Sequence, residues 1–194
     1  MAQMADETGL NKVAANHVPL TPLSHLQRAS DVFANREALV YGDMRLTYRQ
    51  FHARCSRLAS ALVGAGIKPG DVVSIICPNV PAIVEAHFGI PAAGAVLNAI
   101  NTRLDEDTIA YILAHSEAKI VLVDSQFMPV VENALTKLEG AAPVIIEIPD
   151  AHAGIAPSGN HLNYENFIAK GDPDFAWIMP SDEWDSLALN YTSG

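Results

Sequence analysis

Lys119-Ile120-Val121-Leu122-Val123 is apolar on both faces after its leading lysine. Alternate residues of a strand point to opposite sides, so this one has no side to offer to water. Such a strand belongs in a parallel sheet covered by helices above and below. Working outward, Asp105 stands before Ile109, Ile112 and Leu113, the spacing of a helix with an acidic cap. On the other side a helix is expected from about Ser125 to Glu139, followed by a strand at Val144 to Ile148. Further back, Val72 to Cys77 reads as a strand. Asn79 is expected to cap the next helix, with Pro81 in its first turn and Pro91 ending or kinking it. Ala95-Val96-Leu97 reads as a short strand. Strands alternating with helices predict an α/β sheet joined by right-handed crossovers.

Nearer the start, Leu23 to Ala34 reads as a helix with Leu23, Leu26 and Ala29 on one face, preceded by a loose tail over residues 1–22. Glu37 to Tyr48 reads as a β-hairpin turning at Gly42-Asp43. Thr47 with Gln50 three residues on forms a capping box. The helix behind it carries Phe51, Cys55, Leu58 and Leu62, a single apolar stripe that Gly64 and Gly66 bring to an end. Lys68-Pro69-Gly70-Asp71 has the residues of a type II turn. Residues 149–184 are rich in Pro, Gly, Asp and Asn. They read as a surface excursion with one short helical piece near Tyr164 to Ala169.

The chain has 194 residues, enough for one domain or a little more. Hydrophobic residues make up 49% and charged residues 18%, the balance of a soluble globular protein. Lys plus Arg number 12 against 22 Asp plus Glu, for a net charge of -10. That field repels phosphate backbones and anionic lipid, which argues against nucleic acid and membrane surfaces as partners. Cys55 and Cys77 lie in apolar segments and read as reduced core thiols. Met1 to Leu20 has neither a basic nor an apolar leader region. The stretch from Ala86 to Ile100 is broken by His87, Pro91 and Asn98 and is too short to span a bilayer. A cytoplasmic location is expected, with organelle import left open.

Several chemistries find no support. Gly64-Ala-Gly66-Ile-Lys-Pro-Gly70 follows a helix and has the wrong spacing for a dinucleotide fingerprint. His87 and His115 read as packing or surface residues. Ser193 lacks the setting of a hydrolase nucleophile. The acidic runs at Asp105-Glu106-Asp107 and at 182–185 read as caps and a solvated loop. Asn98, Asn101 and Arg103 read as hydrogen-bonding partners of loop backbone. No catalytic residue and no metal ligand is assigned.

The stretch Ser186-Leu187-Ala188-Leu189-Asn190-Tyr191-Thr192-Ser193-Gly194 reads as a buried strand running into small hydroxyl residues and a glycine. Phosphate-holding loops are built this way, because hydroxyls and bare backbone N–H groups reach phosphate oxygens that bulky side chains would keep away. Other pieces keep it company: Leu46 to Phe51; Leu62 through Lys68 to Val73; Pro78 to Pro81; Gly94 to Leu104; and Ile112 to Lys119. In that order and spacing the chain resembles the N-terminal part of the adenylate-forming, or AMP-binding, superfamily. That superfamily holds acyl-CoA synthetases, luciferases and peptide-synthetase adenylation domains. Within it, Asn98 to Leu104 and Pro180 to Asp185 look most like medium- or long-chain acyl-CoA synthetases.

The resemblance implies an N-terminal fragment of an acyl-CoA synthetase-like α/β fold, mainly parallel sheet with an early hairpin, over residues 23–194. It implies a ligase that activates a carboxylic acid, expected to be a fatty acid, with ATP and Mg2+, and passes the acyl group to coenzyme A. Thr192, Ser193 and Gly194 match the first three residues of the superfamily's ATP-phosphate loop, Thr-Ser-Gly-Thr-Thr-Gly-x-Pro-Lys-Gly. The chain is therefore expected to stop inside that loop, to lack activity by itself, and to expose the Phe51-to-Leu62 stripe. Two alternatives stand beside this reading. One is a free-standing α/β module that binds a nucleotide or a protein without chemistry. The other is an adenylation domain or aryl-acid ligase of the same superfamily.

Overall fold

The computed structural model describes residue 9 and residues 11–192. Thr21 caps α1 (Pro22–Val32), whose Leu23 and Leu26 are buried. The hairpin follows as β1 (Glu37–Tyr41) and β2 (Met44–Thr47), antiparallel and turning at Gly42. Thr47 and Gln50 close the capping box of α2 (Tyr48–Gly64). The chain then runs through β3 (Val72–Ile76), α3 (Pro81–Ala92), β4 (Val96–Ala99), α4 (Glu106–His115) and β5 (Ile120–Asp124). It continues with α5 (Met128–Leu135), β6 (Val144–Ile148), β7 (Leu162–Asn163), α6 (Tyr164–Ile168) and β8 (Ala188–Leu189).

Six strands make one sheet in the order β7-β6-β5-β3-β4-β8, and every pairing is parallel. The opening segment sits in the middle of it: all five residues of β5 are buried. Its side chains alternate between two layers. Ile120 and Leu122 enter the core shared with α1, α2, α3 and α6, while Val121 and Val123 enter the core under α4 and α5. Val73 and Ile75 of β3 join the first layer and Ile76 the second, so the pleat feeds both cores. Burying each such side chain contributes about 1.5–3 kcal/mol.

The α2 stripe is not exposed, contrary to expectation. Phe51 is 5% exposed, and Cys55, Leu58 and Leu62 are 0% exposed. They are covered from within the chain by α1, α3 and α6. Gly89 of α3 lets the two helices meet closely: a Cβ there would lie 2.7 Å from Leu58 Cδ2 and 3.0 Å from the Cys55 carbonyl. The excursion after β6 is stitched to the same helix. Trp177 Nε1 donates to Ser56 Oγ at 2.8 Å, and the Trp177 ring stacks on His52 at 4.4 Å. At Gly171 a Cβ would run into the Arg57 carbonyl, so only glycine lets this strap lie flat on α2.

Four local expectations shift. Val80, not Asn79, is the residue before α3, and it makes no side-chain cap. Pro81 holds its predecessor extended, which places the boundary one residue later. The segment from Ser125 to Glu139 is not one helix. A 3-10 turn at Ser125–Phe127 precedes α5, because the ring of Pro129 in an unbroken helix would strike the carbonyl of residue 125. The excursion also adds β7 to the sheet edge, through two residues with no apolar run to announce it. Lastly, β8 is not buried. It is two residues long with alternating exposure, lying against β4 at the other edge of the sheet among the described residues.

Candidate functional site

Because all pairings are parallel, β3, β4, β5, β6 and β8 deliver their carboxyl ends to one edge of the sheet. From β3 the chain crosses by α3 to β4 on one flank, then returns by α4 to β5 on the other. The strand order therefore reverses between β3 and β5, and open α/β sheets bind ligands outside their carboxyl ends at such a point. The larger cavity, about 900 Å³, lies elsewhere, by Pro69, Gly70 and Gly94 at the opposite edge of the sheet. An apolar groove of about 450 Å³ runs between α3 and β8, past Ile83, Phe88 and Leu187.

Thr192 emerges three residues beyond β8, at the carboxyl edge, with its side chain exposed. Ser193 and Gly194 lie outside the described residues. Tyr191, just before Thr192, is half-buried against the core under α4 and α5. Its hydroxyl lies 2.7 Å from His115 Nδ1 at the end of α4. Burial first, and Tyr111 second, hold the Tyr191 hydroxyl above the ordinary tyrosine range. In the loop after β4, Asn101 Oδ1 accepts the Arg103 amide at 3.0 Å, the backbone role expected of it. Asp105 caps α4, and Asp185 Oδ2 accepts from the amides of Ser181 and Asp182.

Asn98 behaves differently from its neighbours. It is fully buried in β4, and its Nδ2 donates to Ser74 Oγ of β3 at 3.0 Å. Its Oδ1 has no partner among the described residues. Asp124, at the carboxyl end of β5, is also fully buried. One of its oxygens accepts the Gln126 amide at 2.9 Å and the other has no described partner. Burial raises the Asp124 pKa, with the nearby charges of Asp150 and Glu147 adding to the rise. Asp150 in turn accepts the Tyr41 hydroxyl at 2.6 Å, seating the hairpin over the end of β6 and pushing Tyr41 up to about 12.

The raised Asp124 has a measurable consequence. The folded chain holds this proton more tightly than the unfolded chain does. Protonation therefore favours the fold: the contribution is complete below about pH 3.8 and is lost as pH rises through the raised value. Asp124→Asn keeps the acceptor for Gln126 and removes the titration. Urea denaturation at several pH values above 3.8 should show a smaller decline of stability with pH for the variant than for the parent chain. Equal slopes would mean that Asp124 is hydrated and ordinary.

Among the described residues, no three His, Cys, Asp or Glu side chains gather as a metal site. No described helix is long and apolar enough to cross a membrane. The cysteines are both free and buried. Burial pushes both thiols up, so neither is poised as a nucleophile. The unpartnered oxygens of Asn98 and Asp124, and the His115–Tyr191 pair, carried no local signal: each depends on what the fold brings together from distant segments.

The family model described as "AMP-binding enzyme" matches residues 26–194. An acetate/butyrate–CoA ligase of Arabidopsis thaliana, described as peroxisomal, is 44% identical over 97% of this chain and 35% of its own. A trans-cinnamate:CoA ligase of Petunia hybrida, also described as peroxisomal, is 44% identical over 95% of this chain and 35% of its own. The crystal structure of an anthranilate CoA ligase in complex with anthranoyl-AMP superposes with a TM-score of 0.79 at 28% identity, over 95% of this chain and 34% of that one. A Mycobacterium tuberculosis fatty acyl CoA synthetase gives a TM-score of 0.72 at 25% identity, over 88% of this chain and 32% of that one. The chain thus spans about a third of the length of the curated relatives it matches.

Proposed function

This chain belongs to the AMP-binding enzyme family, and we propose that it is the N-terminal part of an acid–thiol ligase that converts a carboxylic acid, through its acyl-adenylate, to a coenzyme A thioester. Two half-reactions are involved. A carboxylate oxygen attacks the α-phosphorus of ATP and the bond to pyrophosphate breaks. The CoA thiolate then attacks the acyl carbon and AMP leaves. The observation that carries this reading is the exit of Thr192 from a parallel strand at the carboxyl edge of the sheet, in a chain whose relatives are named as CoA ligases.

The chain's own part in the first step is electrostatic. Negative charge grows on the departing pyrophosphate, and hydroxyl and amide donors fixed beforehand stabilise it without reorganising. Thr192 and Ser193 supply the hydroxyls and Gly194 the close backbone approach. Magnesium, when bound with ATP, would neutralise part of the same charge. The acid is a short-chain or aryl acid if the named relatives guide, or a longer fatty acid on the resemblance of Asn98 to Leu104. The location is cytoplasmic, or peroxisomal as in the two plant relatives.

The test uses the full-length protein that contains this chain. ATP–pyrophosphate exchange is measured with acetate, butyrate, hexadecanoate, cinnamate and anthranilate, then thioester formation on adding CoA. Exchange that depends on one of these acids is expected. The 194-residue chain alone should give none. ATP binding by the 194-residue chain, with no exchange for any acid in the full-length protein, would instead favour a binding module without chemistry.

A further inference from the structure

We propose that His115 and Tyr191 form a strut that sets where Thr192, and so the start of the phosphate loop, stands above the sheet. The strut itself follows from the geometry; what the loop grips rests on the ligase reading above.

The strand leading to Thr192 is a poor guide by itself. β8 meets β4 only at the pairs Leu97–Ala188 and Asn98–Leu189, with the Leu97 amide donating to the Leu187 carbonyl at 3.1 Å. Its residues are partly or fully exposed. A ladder this short leaves the direction of the chain beyond Leu189 open. Tyr191 is the described contact between that outgoing chain and the body of the protein. Its ring packs on the core under α4 and α5, and its hydroxyl meets His115.

The other end of the strut is firm. His115 is the last residue of α4, which Asp105 caps and buried Ile109, Ile112 and Leu113 fasten to the sheet. The imidazole stacks on Tyr111 at 5.5 Å and 19°, and meets the Tyr191 ring edge-on at 5.8 Å and 81°. The stack on Tyr111 orients the solvent-exposed imidazole from the α4 side, and the edge contact and the hydrogen bond join it to Tyr191. With the ring proton on Nε2, His115 Nδ1 accepts a hydrogen bond from the Tyr191 hydroxyl. With Tyr191 held, the backbone entropy of ordering the next residue is lost on folding instead of on binding a nucleotide.

Tyr191→Phe keeps the ring and removes the hydroxyl. His115→Leu removes the partner, and His115→Gln restores a group able to donate and accept. In the full-length protein, Tyr191→Phe and His115→Leu should raise KM for MgATP about fivefold, the worth of one net hydrogen bond, with KM for the acid unchanged. His115→Gln should recover most of the loss. A role in folding alone would lower kcat through the active fraction and leave both KM values in place, which overturns the proposal. A second measurement needs no activity. In the 194-residue chain, the ¹⁵N heteronuclear NOE at the Thr192 amide should fall in Tyr191→Phe and His115→Leu and recover in His115→Gln. If the NOE follows this pattern while the parent shows no acid-dependent exchange, the strut stands and the ligase reading fails. An NOE unchanged in all three variants overturns the strut, whatever the enzyme does.

Discussion

Glu85→Ala is expected to cost about 3–5 kcal/mol, much of the stability of a domain this size, because it leaves the Tyr164 hydroxyl buried without its acceptor and strips Arg54 of its buried partner. Glu85 lies on α3 with 0% exposure. It accepts from Arg54 Nε of α2 at 2.5 Å, Arg54 Nη2 at 3.3 Å, and the Tyr164 hydroxyl of α6 at 2.7 Å. Three helices are tied at one carboxylate. Burial pushes Glu85 up, while the Arg54 guanidinium and the Tyr164 hydroxyl pull it back toward the charged form. Burial alone would lower Arg54, but its hydrogen bonds to Glu165 and Glu85 hold it above the ordinary arginine range. The alanine variant leaves the Tyr164 hydroxyl, on a side chain only 1% exposed, without its acceptor, and leaves Arg54 only Glu165. Urea denaturation of parent and variant gives the difference. A loss under about 1 kcal/mol would show that the carboxylate is hydrated. Replacing all three members, as Arg54→Met with Glu85→Leu and Tyr164→Phe, should recover much of the loss, since apolar side chains of similar volume leave no buried polar group unpaired.

This clamp marks the boundary of what could be read from the chain alone. The two-faced apolarity of Ile120 to Val123 pointed to a covered parallel sheet, and β5 is its buried centre. The stripe from Phe51 to Leu62 pointed to the buried face of α2, because helix period and apolarity are local properties. What covers that face was misjudged. The cover comes from α1, α3 and α6, and the strap held by Trp177 is fixed by hydrogen bonds between residues more than a hundred positions apart. Glu85 did leave a trace, as a single charge inside the apolar run from Ala82 to Ile90. Nothing in the run names Arg54 or Tyr164 as its partners. The candidate site divides in the same way. The exit of Thr192 from a strand was legible as a local pattern, and its contact with phosphate belongs to the proposed function. His115 was read as a packing or surface residue, and it is an exposed one; that it packs on Tyr191, 76 positions away, depends on the return of β8 alongside β4.

On the proposed function, Thr192→Ala combined with Ser193→Ala should lower kcat for ATP–pyrophosphate exchange in the full-length protein by roughly a hundredfold or more, the cost of removing a fixed donor from a site of developing charge. KM for the acid should not move, since these hydroxyls meet the phosphates of ATP; the part of the contact already made in the ground state raises KM for MgATP, and the larger part, made as charge develops, falls on kcat. Thr192→Ser with Ser193→Thr keeps both hydroxyls and should retain most of the rate. The single-residue variants divide the effect between the two positions. The stability of the 194-residue chain should be unaffected by Thr192→Ala, because the Thr192 side chain is exposed and surface substitutions of that kind stay within about 0.5 kcal/mol. The pair of results separates chemistry from folding. A double variant that exchanges pyrophosphate at the parental rate would mean that these hydroxyls do not face the leaving group. The strut at His115 would then be holding a segment that has another task.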